Sequence, residues 1–234
     1  MLLLLSALIV GCAGDAVILP DSTSGGNAFA GIYNTSYSRG VAPAGTMVLG
    51  VHSNGSIDVA VSDNAEGFFS GTGVIDTNNS FFVNCQNVNA GTSILVNGTL
   101  AGSGAGRTAS GNVTGEFTFT YTASFAHDLS TGIFANHYEG FFGGGAQGTF
   151  MIDVNANGSI TGMVHAGNNG DLPITGTVTN TGLVQMHAQL LGGQYSMDFV
   201  GAFSIHPDSV MGSGSWTDSA EHEGTWDAGN SNEG

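Results

Sequence analysis

The 234-residue chain predicts an all-β protein built as two tandem antiparallel up-and-down eight-stranded barrels, with a pair of β-sandwiches as the alternative. Three observations lead there. The chain repeats itself at an offset of 103 residues (157 − 54), so that Asn54-Gly55-Ser56-Ile57 falls on Asn157-Gly158-Ser159-Ile160. The register holds without a gap from Gly45 to Thr114 against Gly148 to Thr217, and a duplication of this kind sets the architecture before any motif is read. Apolar residues alternate with polar ones over short runs, and those runs are punctuated by Asn, Asp, Ser and an abundance of glycine, 39 in all, with no sustained helical period.

In chain order, Met1 to Gly11 is an apolar run of signal-peptide length, too short to span a bilayer. Ile9-Val10-Gly11-Cys12 resembles the lipobox of bacterial lipoproteins. That resemblance implies that Cys12 is acylated and becomes the mature N-terminus. Ala13, rather than Asp, follows Cys12 and implies the outer membrane. A secretory signal cut near Gly14, with a secreted product, is the alternative. Residues 12–27 read as a flexible tether, since Pro20 and a Ser/Gly-rich stretch carry no period. The two repeat domains are then expected at 28–125 and 134–229.

Within the repeats the same face is apolar in both copies. Met47, Leu49 and Val51 fall on Phe150, Ile152 and Val154, and Phe81, Val83 and Cys85 fall on Val184, Met186 and Ala188. Eight runs per copy are expected, in the first near Ile32 and at 46–52, 56–62, 69–76, 80–86, 92–100, 108–114 and 116–122. Eight strands in roughly a hundred residues suit a small closed barrel without exposed edges. Gly73, Gly98 and Gly111 lie on the inward face, where they would relieve crowding. Cys85 reads as a small buried hydrophobe. If Cys12 is not acylated, the two cysteines could pair.

Gly140-Phe141-Phe142-Gly143, with Gly148-Thr149-Phe150 and Gly158-Ser159-Ile160-Thr161-Gly162 beyond it, resembles the meander of avidin-like barrels. It is also similar to the Gly-Phe-Tyr-Gly segments of transferrin-binding surface lipoproteins. The resemblance spans one hairpin and implies a barrel. Avidin's biotin pocket depends on several tryptophans, and this chain has only Trp216 and Trp226, so biotin binding is not implied.

Function is sought where the copies differ. Asn54-Gly55 and Asn157-Gly158 mark tight turns at one end of the meander. Toward the other end, matching Gly31 to Gly140 gives an offset of 109 before Gly45, and matching Gly115 to Gly224 gives 109 after Thr114. Copy one would then carry a six-residue excess within Tyr33 to Gly45, and copy two a similar excess within Thr217 to Glu223. Candidate ligand-binding residues are Tyr37, Arg39, Asp63 and Glu66 from copy one, with Trp216, Asp218, Glu221, His222 and Glu223 from copy two. Asp171 is expected at the same end. Loops on a rigid scaffold are where binding usually resides.

Charge and missing motifs narrow the class. Lys+Arg number 2 against Asp+Glu 18, a net charge of −16 that repels phosphate backbones and anionic lipids. Nucleic acid is excluded as a partner, and the membrane is reached through the lipid anchor only. The sequence has no Gly-x-Ser-x-Gly elbow, His-Glu-x-x-His pair or phosphate loop, so no enzyme, cofactor or metal is expected. The histidines look scattered and unshared between copies. The expectation is a non-enzymatic surface lipoprotein that binds an unidentified ligand or protein partner through loops at one barrel end. A structural envelope spacer or coat protein is the alternative.

Overall fold

The computed structural model describes residues 26–230 apart from 41, 88, 168, 169 and 191, so the acylation signal and most of the tether lie outside the described residues. Strands β1 (Gly31–Arg39), β2 (Ala42–Val51), β3 (Ser56–Asp63), β4 (Gly67–Val74), β5 (Ser80–Gln86), β6 (Ser93–Ala101), β7 (Thr108–Gly115) and β8 (Phe119–His127) form barrel one. Strands β9 (Asn136–Gly144), β10 (Gly148–Val154), β11 (Ser159–His165), β12 (Asp171–Val178), β13 (Leu183–Gln189), β14 (Ser196–His206), β15 (Ser209–Asp218) and β16 (Glu223–Asn230) form barrel two. Each meander closes on itself, β1 pairing with β8 and β9 with β16, so these are barrels and not sandwiches.

Both lumens are filled by the alternating residues that the duplication marks. Met47, Leu49, Val59, Val61, Val83 and Val96 pack inside barrel one, and Phe150, Ile152, Val164, Ile174, Met186 and Phe199 inside barrel two. Eight strands enclose a space just wide enough for such filling. Cys85 is one of the filling groups, a free and fully buried thiol that burial pushes up to about 12.

The two Asn-Gly turns are built alike. Asn54 Oδ1 accepts from Ser56 N and Asn157 Oδ1 from Ser159 N, both at 3.0 Å, while Gly55 and Gly158 take φ of 83° and 84°. That left-handed conformation is open to glycine without a Cβ penalty.

Outside the 103-residue register, strand pairing corrects the alignment. Tyr37 pairs with Gly45, and Phe142 with Gly148, so Tyr37 is the counterpart of Phe142 at an offset of 105 (142 − 37). At the far end Gly111 pairs with Tyr121 and Gly214 with Trp226, again giving 105. Each copy-specific excess is therefore two residues, not six. Matching glycine to glycine misled the alignment because glycines recur every few residues here, whereas strand register is set by the ladder. The corrected register shows a compensating exchange in the cores. In barrel one Phe119 stacks on Tyr37 with ring centroids 3.8 Å apart. In barrel two Gly224 stands in the place of Phe119, and Trp216, in the place of Val113, meets Phe142 edge-on at 5.2 Å. A Cβ on Gly224 would lie 1.9 Å from Gly143 O.

The barrels lie side by side, and their contact is apolar. Ile32, Val48, Ala60 and Phe68 point outward from β1–β4 and join the core cluster of barrel two, facing the small residues Ala202, Ser213 and Ser215 of β14–β15. This is why β3 is buried along both faces for most of its length, where alternation alone predicts one wet face. Three polar pairs cross the contact: Phe68 N donates to Ser215 Oγ at 2.8 Å, Thr46 and Ser213 hydroxyls meet at 3.2 Å, and Thr181 Oγ1 donates to Asp58 Oδ2 at 3.2 Å, whereas Asn34 Oδ1, opposite Val48 on β1, is buried without a partner among the described residues. The β2–β3 and β12–β13 turns sit together at one end, and the loop ends of both barrels therefore face the same way.

Candidate functional site

At the loop end of barrel one, the β1–β2 hairpin places Tyr37 and Arg39 over Asp63, the last residue of β3. Asp63 is 0% exposed. Its Oδ2 accepts from Tyr37 Oη at 2.7 Å, and its Oδ1 accepts from Arg39 Nη2 at 2.5 Å and from the Ala65 and Glu66 amides at 2.9 and 3.0 Å. The Arg39 guanidinium lies 5.0 Å above the Phe117 ring, and Nη1 stands 3.6 Å from Glu66 Oε1. Burial, then the hydrogen bond and charge of Asp63, raise the Tyr37 pKa well above the usual tyrosine range, so its hydroxyl stays a donor. These three residues form a plug that closes the barrel mouth, with the carboxylate satisfied from four sides.

Barrel two holds a comparable carboxylate at a different place in its register. Asp218 closes the β15–β16 turn, its Oδ1 accepting from the Ala220 and His222 amides at 2.9 Å each. Its Oδ2 accepts from Tyr195 Oη at 2.8 Å and pairs with His222 Nδ1 at 2.9 Å. Burial works against the charged carboxylate, but the bonds from His222, Tyr195 and the two amides outweigh it and hold Asp218 below the ordinary range. Glu221 stands in the same turn with φ of 65°. Trp216 is fully buried in the core, its Nε1 donating to Gly143 O at 3.0 Å, and does not face the end.

Of the candidates, the structure brings Glu66 and Glu223 together. They line a cleft of about 120 Å³ between the barrels, with Asn87 and Asn89 of the β5–β6 loop and Ser215 and Thr225 of barrel two. Asn87 organises its wall: Nδ2 donates to Glu66 O at 2.7 Å, and Oδ1 accepts from the Asn89 and Ala90 amides at 3.1 Å each. Sequence reasoning passed over Asn87 and Asn89, although Gln86-Asn87-Val88-Asn89-Ala90-Gly91 carries an evident turn signal.

The histidines are ordered in a way that the linear sequence hides. His137 pairs with Asp153 at 2.8 Å, His187 with Asp198 at 2.7 Å, and His165 with Asp171, all across adjacent strands on the outer surface of barrel two. His52 meets Asp58 at 2.9 Å beside the inter-barrel contact. Among the described residues, no group of three or more His, Cys, Asp or Glu is arranged to hold a metal ion.

Fold and site together define a duplicated β-barrel protein with a polar cleft between its two barrels. No protein-family model and no curated protein matches the chain. Among solved structures it is similar to the Burkholderia oklahomensis agglutinin, with 13% identity over 85% of this chain and 94% of that one and a TM-score of 0.22. It is also similar to the Myxococcus xanthus hemagglutinin solved with α3,α6-mannopentaose, with 14% identity over 85% and 98% and a TM-score of 0.20.

Proposed function

We propose that the chain is a non-enzymatic binding protein of the bacterial cell surface, anchored through acylated Cys12, that takes a neutral or cationic polyhydroxyl ligand in the cleft between its barrels. One observation carries the binding site: Glu66, Asn87, Asn89, Ser215 and Glu223 converge there from both copies. Carboxylate, amide and hydroxyl groups offer the mixed donors and acceptors that ligand hydroxyls need. Two carboxylates with a single guanidinium nearby admit an amine and repel an anion. The plugs at Asp63 and Asp218 then serve as the rigid frame on which the cleft loops are held.

The test is an array of neutral, amino-bearing and anionic oligosaccharides, followed by calorimetry with the Glu66→Gln/Glu223→Gln variant. Loss of charge-assisted hydrogen bonds should weaken binding by about tenfold or more. Undiminished affinity would sink the cleft as the site, and absence of saturable binding to any member would favour a structural spacer. Mass spectrometry of the mature N-terminus tests the anchor separately, because an unmodified Cys12 or a start near Asp15 overturns it.

A further inference from the structure

Because the internal contact joins unlike faces, each barrel has one face left uncovered. The outer face of β1–β4 in barrel one packs on β14–β16 of barrel two. The corresponding face of barrel two, β9–β12, is turned to solvent. At the offset of 103, Val48 and Ala60, which make the internal contact, correspond to Met151 and Met163. These two methionines are 51% and 40% exposed, and Phe141 beside them is 61% exposed. Met151 and Met163 are direct cross-strand partners, and Met163 is paired in turn with Pro173. A groove of about 280 Å³ runs along them, edged by the His165–Asp171 pair.

The complementary surface exists too. Outward residues of β14 and β15 that receive barrel one include Ala202, Ser213 and Ser215, and their counterparts in barrel one are Thr99, Ser110 and Asn112. Those three are exposed and short, with Ser110 matching Ser213 and Thr99 and Asn112 somewhat larger than Ala202 and Ser215. From this continuity with the internal contact, we propose that barrel two seats the β6–β8 face of barrel one from a second copy of the same chain, joining chains head to tail. Asp153 fills the place where Gly50 admits Thr181, and Asp171 stands in the place of Phe68, so the second chain seats on the methionine row instead of repeating the internal pose atom for atom. Exposed, flexible methionines suit such an adaptable contact. A contact between unlike faces does not close on itself after two subunits, so the product is an oligomer larger than a dimer, a ring or an open series. The net charge of −16 opposes it, and salt that screens this repulsion favours it.

Sedimentation velocity of the full chain, over about a hundredfold range of concentration at low and raised salt, tests the proposal. The expected result is a mass that rises with concentration and with salt. Met151→Asp/Met163→Asp should abolish association from one side, and Thr99→Arg from the other. The two variants mixed should form dimers and stop there, since each retains one working face. A single Met163→Lys variant replaces the double one if circular dichroism shows that the barrel is lost. A wild-type chain that stays monomeric throughout overturns the proposal. Unchanged dimerisation of the Thr99→Arg variant also overturns it, because like faces would then be meeting.

Discussion

Tyr33 and Tyr138 hold equivalent places in the two barrels, each donating its hydroxyl to a carbonyl oxygen four residues upstream, Phe29 O at 2.7 Å and Phe134 O at 2.8 Å. The pair shows that the duplication reaches back to residue 29, before the segment where glycine matching broke down. Tyr→Phe at either site removes one donor and leaves its carbonyl partner short of a bond. A loss of about 1 kcal/mol is expected for Tyr33→Phe, whose bond is part-buried, and about 1–2 kcal/mol for Tyr138→Phe, whose bond is buried, read from urea unfolding. Equal stability to wild type would reduce the pair to a coincidence of packing.

The Asp63 plug is a second stability element. Asp63→Ala leaves the Tyr37 hydroxyl and two amides without their acceptor, and a cost of about 2–4 kcal/mol is expected by denaturant titration. Arg39→Ala should cost less, about 1–2 kcal/mol, because the arginine side chain is 31% exposed and the three other donors to Asp63 remain.

Asp218 links the β15–β16 hairpin to pH. Its folded pKa is lowered, so its contribution is fully present above the unfolded carboxylate pKa and is lost as pH falls through the folded one. The stability gap between wild type and Asp218→Asn should shrink steadily as pH falls below about 4. A gap that stays constant to acid would refute the carboxylate's role there.

Cys85 should not react with an alkylating reagent in the native barrel and should react at once in denaturant, because burial both shields the thiol and disfavours its thiolate. Native-state labelling at the rate of a free thiol would show that barrel one opens readily.

Both tryptophans lie in barrel two, so their fluorescence reports that barrel alone, while circular dichroism reports both. The shared cluster around Val48, Ala60 and Phe68 couples the barrels, and the two transitions should coincide in the wild type. Ala60→Arg places a charge in that contact and should separate them.

Strands, turns and lumen residues were legible because each depends on a local pattern: alternation along a run, and Asn-Gly where a left-handed residue is needed. The candidate site was only half legible. Asp63, Glu66, Asp218 and Glu223 were found as acidic loop residues, but composition does not tell a carboxylate locked by four donors from one lining a cleft. Trp216 read as an aromatic at the loop end, whereas its alternation places it inward beside Phe142. The histidines looked scattered because their aspartates lie across the ladder, 6 to 16 residues away in sequence.

By itself, the sequence determined the all-β class, the duplication, the strand count and the residues that fill each lumen. It could do so because the inward or outward sense of a β residue repeats every second position and is written locally. Only the tertiary structure decided the 105-residue register at the barrel seams, the exchange of Trp216 and Gly224 for Val113 and Phe119, the meeting of Glu66 with Glu223, and the choice of Val48 and Ala60 over Met151 and Met163 to face the other barrel. Those outcomes depend on which strands become neighbours when each sheet closes and which closed surfaces then fit together, and both are contacts between residues far apart in the chain.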